Sequence, residues 1–194
     1  MKYYEYKSIA YGLILFSIID IAYGLHLGFR ETFFEFCNIA PLLIAYGILY
    51  KKRYFIHYVA FFSILFQMPW TLDWIALYFD LSFLNLYQSY SSVPSSFMVL
   101  SFVQHLLTAP IAIYLLLKEG KSQEDTKKSL TRPLIFTFFL AFVSYQFMYV
   151  ENANCMRYTC ISSWATVLNG DLYTALWTAL LLLTWTGYWY FILR

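Results

Sequence analysis

The chain has 194 residues, of which 61% are hydrophobic and 12% charged, where an ordinary soluble domain has roughly 45–50% and about 25%. About 118 apolar residues are close to what six transmembrane helices of ~20 residues would use, and more than a soluble globule could hide. A net charge of +2 excludes neutralising the phosphates of a nucleic acid, while 23% aromatic residues and three cysteines exclude both a disordered chain and a disulfide-stapled secreted domain.

The composition predicts an all-α polytopic membrane protein, a single transmembrane domain over residues 1–194. Apolar runs of bilayer length predict six transmembrane helices near 8–26, 33–50, 54–78, 97–117, 133–150 and 172–192, with a charged loop at 118–132. The first run lacks a small-residue cleavage site and carries Asp20, so it reads as a retained helix rather than a signal peptide. Pro69, Asp73 and Asp80 interrupt the third. It either spans as a whole or ends near Trp70 and continues as an interfacial helix, with Trp74, Tyr78 and Phe79 at headgroup level. No repeat at a fixed period points to an inverted-repeat transporter.

The basic residues set the expected orientation. Lys2 and Lys7 precede the first run, Lys51, Lys52 and Arg53 join the second to the third, Lys118, Lys121, Lys127, Lys128 and Arg132 join the fourth to the fifth, and Arg194 ends the chain. Only Arg30 and Arg157 fall on the other side. The positive-inside rule then makes both termini and the two basic loops cytoplasmic, as in a multi-pass protein of the cell's inner or plasma membrane.

Polar side chains in hydrocarbon cost a few kcal/mol each on insertion scales, which makes them candidates for function. At ~1.5 Å of rise per residue, Asp20 lies past the midplane toward the outside. Cys37 and Asn38 lie about one turn in from the outer end of the second helix. Gln67, Trp70 and Asp73 belong to the outer half of the third, Gln104 and His105 to that of the fourth, Tyr145 and Gln146 to that of the fifth, and Trp177 opens the sixth. The inner halves are mostly Leu, Ile, Phe and Tyr. Helix-to-helix hydrogen bonds worth about 0.6 kcal/mol each have no reason to favour one leaflet. A polar pocket opening outward, with these residues binding substrate, does.

Cys37 and His105 are the reactive pair in this layer. A thiolate near a helix N-terminus or a histidine is a nucleophile, and His105 could serve as its base. Pro41 lacks an N–H and crowds the carbonyl of Cys37, which predicts a kink there, and Pro110 loosens the fourth helix. A small buried hydrophobe is the plainer account of a lone cysteine in an apolar helix. Cys155 and Cys160 could pair as a disulfide in an oxidising compartment. No cofactor and no metal set is expected. The inner halves lack the ring of charges a channel needs.

The segment Phe36-Cys37-Asn38-Ile39-Ala40-Pro41-Leu42-Leu43 resembles the opening of the second core helix in YwaF-like integral membrane proteins. Ser101-Phe102-Val103-Gln104-His105 with Pro110, the basic loop leading through Ser129-Leu130-Thr131-Arg132, and Asn152-Ala153-Asn154-Cys155-Met156 are similar to further motifs of that family. The resemblance implies kinship with six-helix membrane acyltransferases that use a cysteine and a histidine and, more distantly, with androgen-induced hydrolases of fatty-acid esters. It would make Cys37 the nucleophile and His105 its partner. Two functions are therefore expected: a lipid acyltransferase or ester hydrolase, with amides of Asn38, Gln67 or Gln104 holding the oxyanion, or a non-enzymatic protein binding or carrying a lipid or small hydrophobe. The expected partners are membrane lipids.

Overall fold

The computed structural model describes residues 6–29, 35–79, 81, 94–119, 126–147, 170–188 and 190. The described chain is all α. Helices α1 (Lys7–His26) and α2 (Phe36–Leu49) are followed by α3 (Arg53–Phe62), which runs through a π-helical turn, Ser63–Gln67, straight into α4 (Met68–Leu77). Then come α5 (Ser95–Glu119), α6 (Thr126–Phe147) and α7 (Gly170–Tyr188). The α3–π–α4 rod counts as one, so the described residues form six helices. Among them, Lys7–His26, Arg53–Ala76 and Ser95–Lys118 are long and apolar enough to cross a membrane, and Phe36–Leu49 is a shorter apolar helix.

Local chemistry explains the ends. Gly28, at φ +90, closes α1 in a Schellman turn, with Phe29 N–H donating to the Gly24 carbonyl at 2.9 Å and Gly28 N–H to that of Leu25 at 3.0 Å. The α2–α3 corner uses the same turn with a lysine: Lys51 sits at φ 56 while Lys52 N–H donates to the Gly47 carbonyl at 2.8 Å. Gly47 lets α3 approach, because a Cβ there would stand 2.7 Å from Cγ1 of the fully buried Ile56.

One expectation is narrowed and one element differs. The third run, expected over 54–78, is a continuous rod through Pro69 and does not take the alternative of ending near Trp70. Pro69 cannot donate to a carbonyl in the preceding turn, and the chain absorbs this by widening into the π turn just before it. Trp74 then packs on Phe102 of α5, ring centroids 4.2 Å apart. The expected loop at 118–132 is largely helical, since α5 continues to Glu119 and α6 begins at Thr126. Its polar residues are helix-compatible, and Pro133, in the third turn of α6, removes one i→i−4 bond without ending the helix.

α5 packs against α1, α2, α3, the π turn and α4, while α6 and α7 join the bundle on α3. Helices consecutive in the chain run antiparallel, which gathers the described basic residues at one end. There Tyr6 meets Tyr114 (6.4 Å between centroids), Tyr46 meets Phe55 (5.3 Å), Lys118 lies over Tyr114, and Arg132 donates to the Tyr54 hydroxyl. At the opposite end Tyr23 and Ser96 share a 2.6 Å hydrogen bond and Phe29 packs on Phe97. Between them, in the basic half, Tyr58 and Trp185 are fully buried and meet edge to face at 5.3 Å, with the Tyr58 hydroxyl 2.7 Å from that of Thr137. Such ring pairs contribute about 0.5–1.5 kcal/mol beyond area burial. The outside of the bundle is apolar: Leu15, Ile18 and Ile19 of α1, Ile135, Phe138 and Phe139 of α6, and Leu183 of α7 are exposed.

Candidate functional site

The site begins with a proline. Pro41, inside α2, has no N–H for the carbonyl of Cys37 four residues earlier. The orphaned oxygen is taken by α5, whose Gln104 side chain donates Nε2–H to it at 2.9 Å. The next carbonyl, that of Asn38, accepts a short 2.5 Å bond from the Ser17 hydroxyl of α1. The first turns of α2 are thus stapled from both sides, and a polar junction of α1, α2 and α5 forms around Cys37.

Asp20 belongs to this junction. It lies one turn beyond Ser17, on the same face of α1, and within electrostatic reach of Cys37. It is 0% exposed, and neither carboxylate oxygen has a hydrogen-bond partner among the described residues. Gln104, 1% exposed, donates one amide N–H to Cys37 while its Oε1 is buried and unpaired. The Cys37 thiol, half-buried, has two acceptors for its single S–H, the Glu35 carboxylate at 3.8 Å and Asn38 Oδ1 at 3.5 Å, and Asn38 Nδ2 lies 3.5 Å from the same Glu35 oxygen. Thr108 caps the Gln104 carbonyl at 2.7 Å.

A second group lies where α5 meets α4. His105 Nδ1 is 2.6 Å from the Ser101 carbonyl. A carbonyl only accepts, so Nδ1 carries the proton and Nε2 is left for another partner. The imidazole stacks on Trp70 at 4.4 Å and 26°. Gln67, three residues before Trp70 and at the end of the π turn, is buried with both amide atoms unpaired, while its carbonyl accepts from Thr71 at 2.9 Å. Asp73 is buried further along α4.

The structure therefore brings Asp20, Cys37, Asn38 and Gln104 together, and separately His105 with Trp70. No hydrogen bond joins Cys37 to His105 among the described residues. Tyr145, Gln146 and Trp177 stand on described helices, but their side chains lie outside the described residues, as do Cys155, Cys160 and the 151–169 segment that carries them. Among the described residues no three of His, Cys, Asp and Glu gather as a metal site would require. Sequence reasoning missed Ser17, Ser101 and the role of Glu35 as acceptor for the thiol. Ser17 carried a usable signal, since it precedes Asp20 by three residues on an otherwise apolar helix.

No protein-family profile, no curated protein and no solved structure matches the chain.

Proposed function

We propose that this is a multi-pass integral membrane protein whose α1–α2–α5 junction recognises the polar end of a membrane-soluble ligand. In this reading the six helices all cross the bilayer, the basic end with both termini faces the cytoplasm, and the polar junction lies toward the outer leaflet. One observation carries it: inside a bundle with an apolar exterior, the Asp20 carboxylate and the Gln104 carbonyl are buried with unmet hydrogen bonds. A buried polar group left unpaired costs about 1–3 kcal/mol, more when charged, and such groups in a membrane span mark sites of function. A ligand that meets them returns this cost as binding energy.

Acyl transfer, which the resemblance to YwaF-like proteins implies, needs a base within hydrogen-bond reach of its nucleophile. The thiol is held by Glu35 and Asn38 and the imidazole by Ser101 and Trp70, so recognition is favoured over catalysis. Photo-crosslinking in cell membranes with a diazirine-bearing long-chain alcohol, followed by peptide mapping, tests the reading. Labelling concentrated around Ser17–Asp20, Cys37–Pro41 and Ser101–Thr108 is expected. Labelling spread evenly over the exposed faces of α1, α6 and α7 would overturn it.

A further inference from the structure

The unmet groups at the α1–α2–α5 junction are of one kind. Asp20 offers Oδ1 and Oδ2 and Gln104 offers Oε1: three buried acceptors on α1 and α5, the two helices whose Ser17 and Gln104 bond to α2 beside Cys37, and each donor atom of the junction that the structure describes already has a partner. Ser17 donates to Asn38, the Gln104 amide to Cys37, and the thiol and the Asn38 amide turn to Glu35, so that at most the second N–H of each amide is left over. Nor can the described lysines and arginines serve, since Lys7, Lys51, Lys52, Arg53, Lys118 and Arg132 all stand at the other end of the bundle. Glu35 adds a second carboxylate at the rim of the same junction.

An acceptor-rich, carboxylate-bearing site selects for a cation that donates hydrogen bonds. Water would satisfy single oxygens but would leave the buried charge uncompensated. A hydroxyl brings one donor and no charge. A quaternary ammonium brings charge but no N–H. A primary ammonium brings both, and its three N–H donors equal the three open acceptors in number. We propose that the Asp20–Gln104 junction binds a primary ammonium group, carried either by an aminolipid headgroup or by a free lipophilic amine. This rests on the reading of the junction as a ligand site and adds the ligand's chemistry to it.

The test uses the full-length protein in phosphatidylcholine nanodiscs, with equilibrium binding of n-dodecylamine, N,N,N-trimethyldodecylammonium and 1-dodecanol. The amine is expected to bind saturably and roughly tenfold or more tighter than either relative, because a hydrogen bond to a charged group is lost in each comparison. Asp20→Asn is expected to weaken amine binding by about tenfold or more and dodecanol binding by a smaller factor, because the alcohol loses only the charge assistance of one hydrogen bond. Gln104→Met, which keeps the carboxylate, is expected to weaken it by a smaller factor, and serves where Asp20→Asn does not fold. Nanodiscs containing phosphatidylethanolamine separate the two sources: competition assigns the site to a lipid headgroup, and its absence to free amines. Equal affinity for dodecylamine and dodecanol, or amine binding indifferent to both variants, overturns the proposal. Alcohol labelling mapped to the junction together with equal affinities would leave the ligand site standing and remove only its preference for ammonium.

Discussion

Gln104 on α5 donates its side-chain amide to the carbonyl of Cys37 on α2, across 2.9 Å, and that carbonyl is the one Pro41 deprives of a helical partner. A backbone defect in one helix is thereby repaired by a side chain from another. The relationship predicts a specific coupling. Gln104→Met should cost about 1 kcal/mol of stability, and in a Pro41→Ala background, where residue 41 supplies the missing N–H, most of that cost should vanish. A double-mutant cycle read by denaturant unfolding in detergent measures the difference.

Cys37 and His105 turn to different partners. With Cys155 and Cys160 changed to serine, His105→Ala should therefore leave the rate of Cys37 alkylation by a small maleimide within about twofold of the parent. A coupled thiol and imidazole would respond differently, because a neighbouring histidine shifts thiolate content. A drop of tenfold or more would restore the Cys/His pair.

Lys51 holds a left-handed conformation, φ 56, in the turn between α2 and α3. L-residues other than glycine adopt it at a cost of roughly 1–2 kcal/mol. Lys51→Gly should stabilise the protein by up to about 1 kcal/mol, visible as a higher unfolding temperature. Gly47→Ala, four residues earlier, should do the reverse by about 1–3 kcal/mol, since the new methyl would meet Ile56 at 2.7 Å and the Lys52 carbonyl at 3.1 Å.

The helices were legible because bilayer-length apolar runs end at charges and turn residues. α1 spans Lys7–His26 against an expected 8–26, and α5 spans Ser95–Glu119 against 97–117. The start of α6 was hidden because hydropathy marks where a helix becomes apolar, and Thr126–Arg132 is helical while still polar. That Cys37 and Gln104, and Trp70 and His105, share a level along the bundle was also legible, being a matter of counting. Their azimuth was not. Gln104 and His105 are neighbours in sequence, yet successive residues turn about 100° around a helix with 3.6 residues per turn, so one reaches α2 and the other stacks on α4. Pairing Cys37 with His105 treated residues at one depth as residues on one face. Pro41 was the better guide, since the carbonyl it leaves without a helical donor is the one Gln104 bonds to.

If Asp20 is kept for a ligand rather than for the fold, the thermal stability of ligand-free Asp20→Asn beside the parent, in the same detergent, shows it. Removing a buried charge with no described partner should stabilise the bundle, as binding groups often trade stability for function. The unfolding temperature of Asp20→Asn should rise by roughly 2–4 °C for each kcal/mol released. A fall of that size would mean that the carboxylate holds the helices together, and would contradict the account.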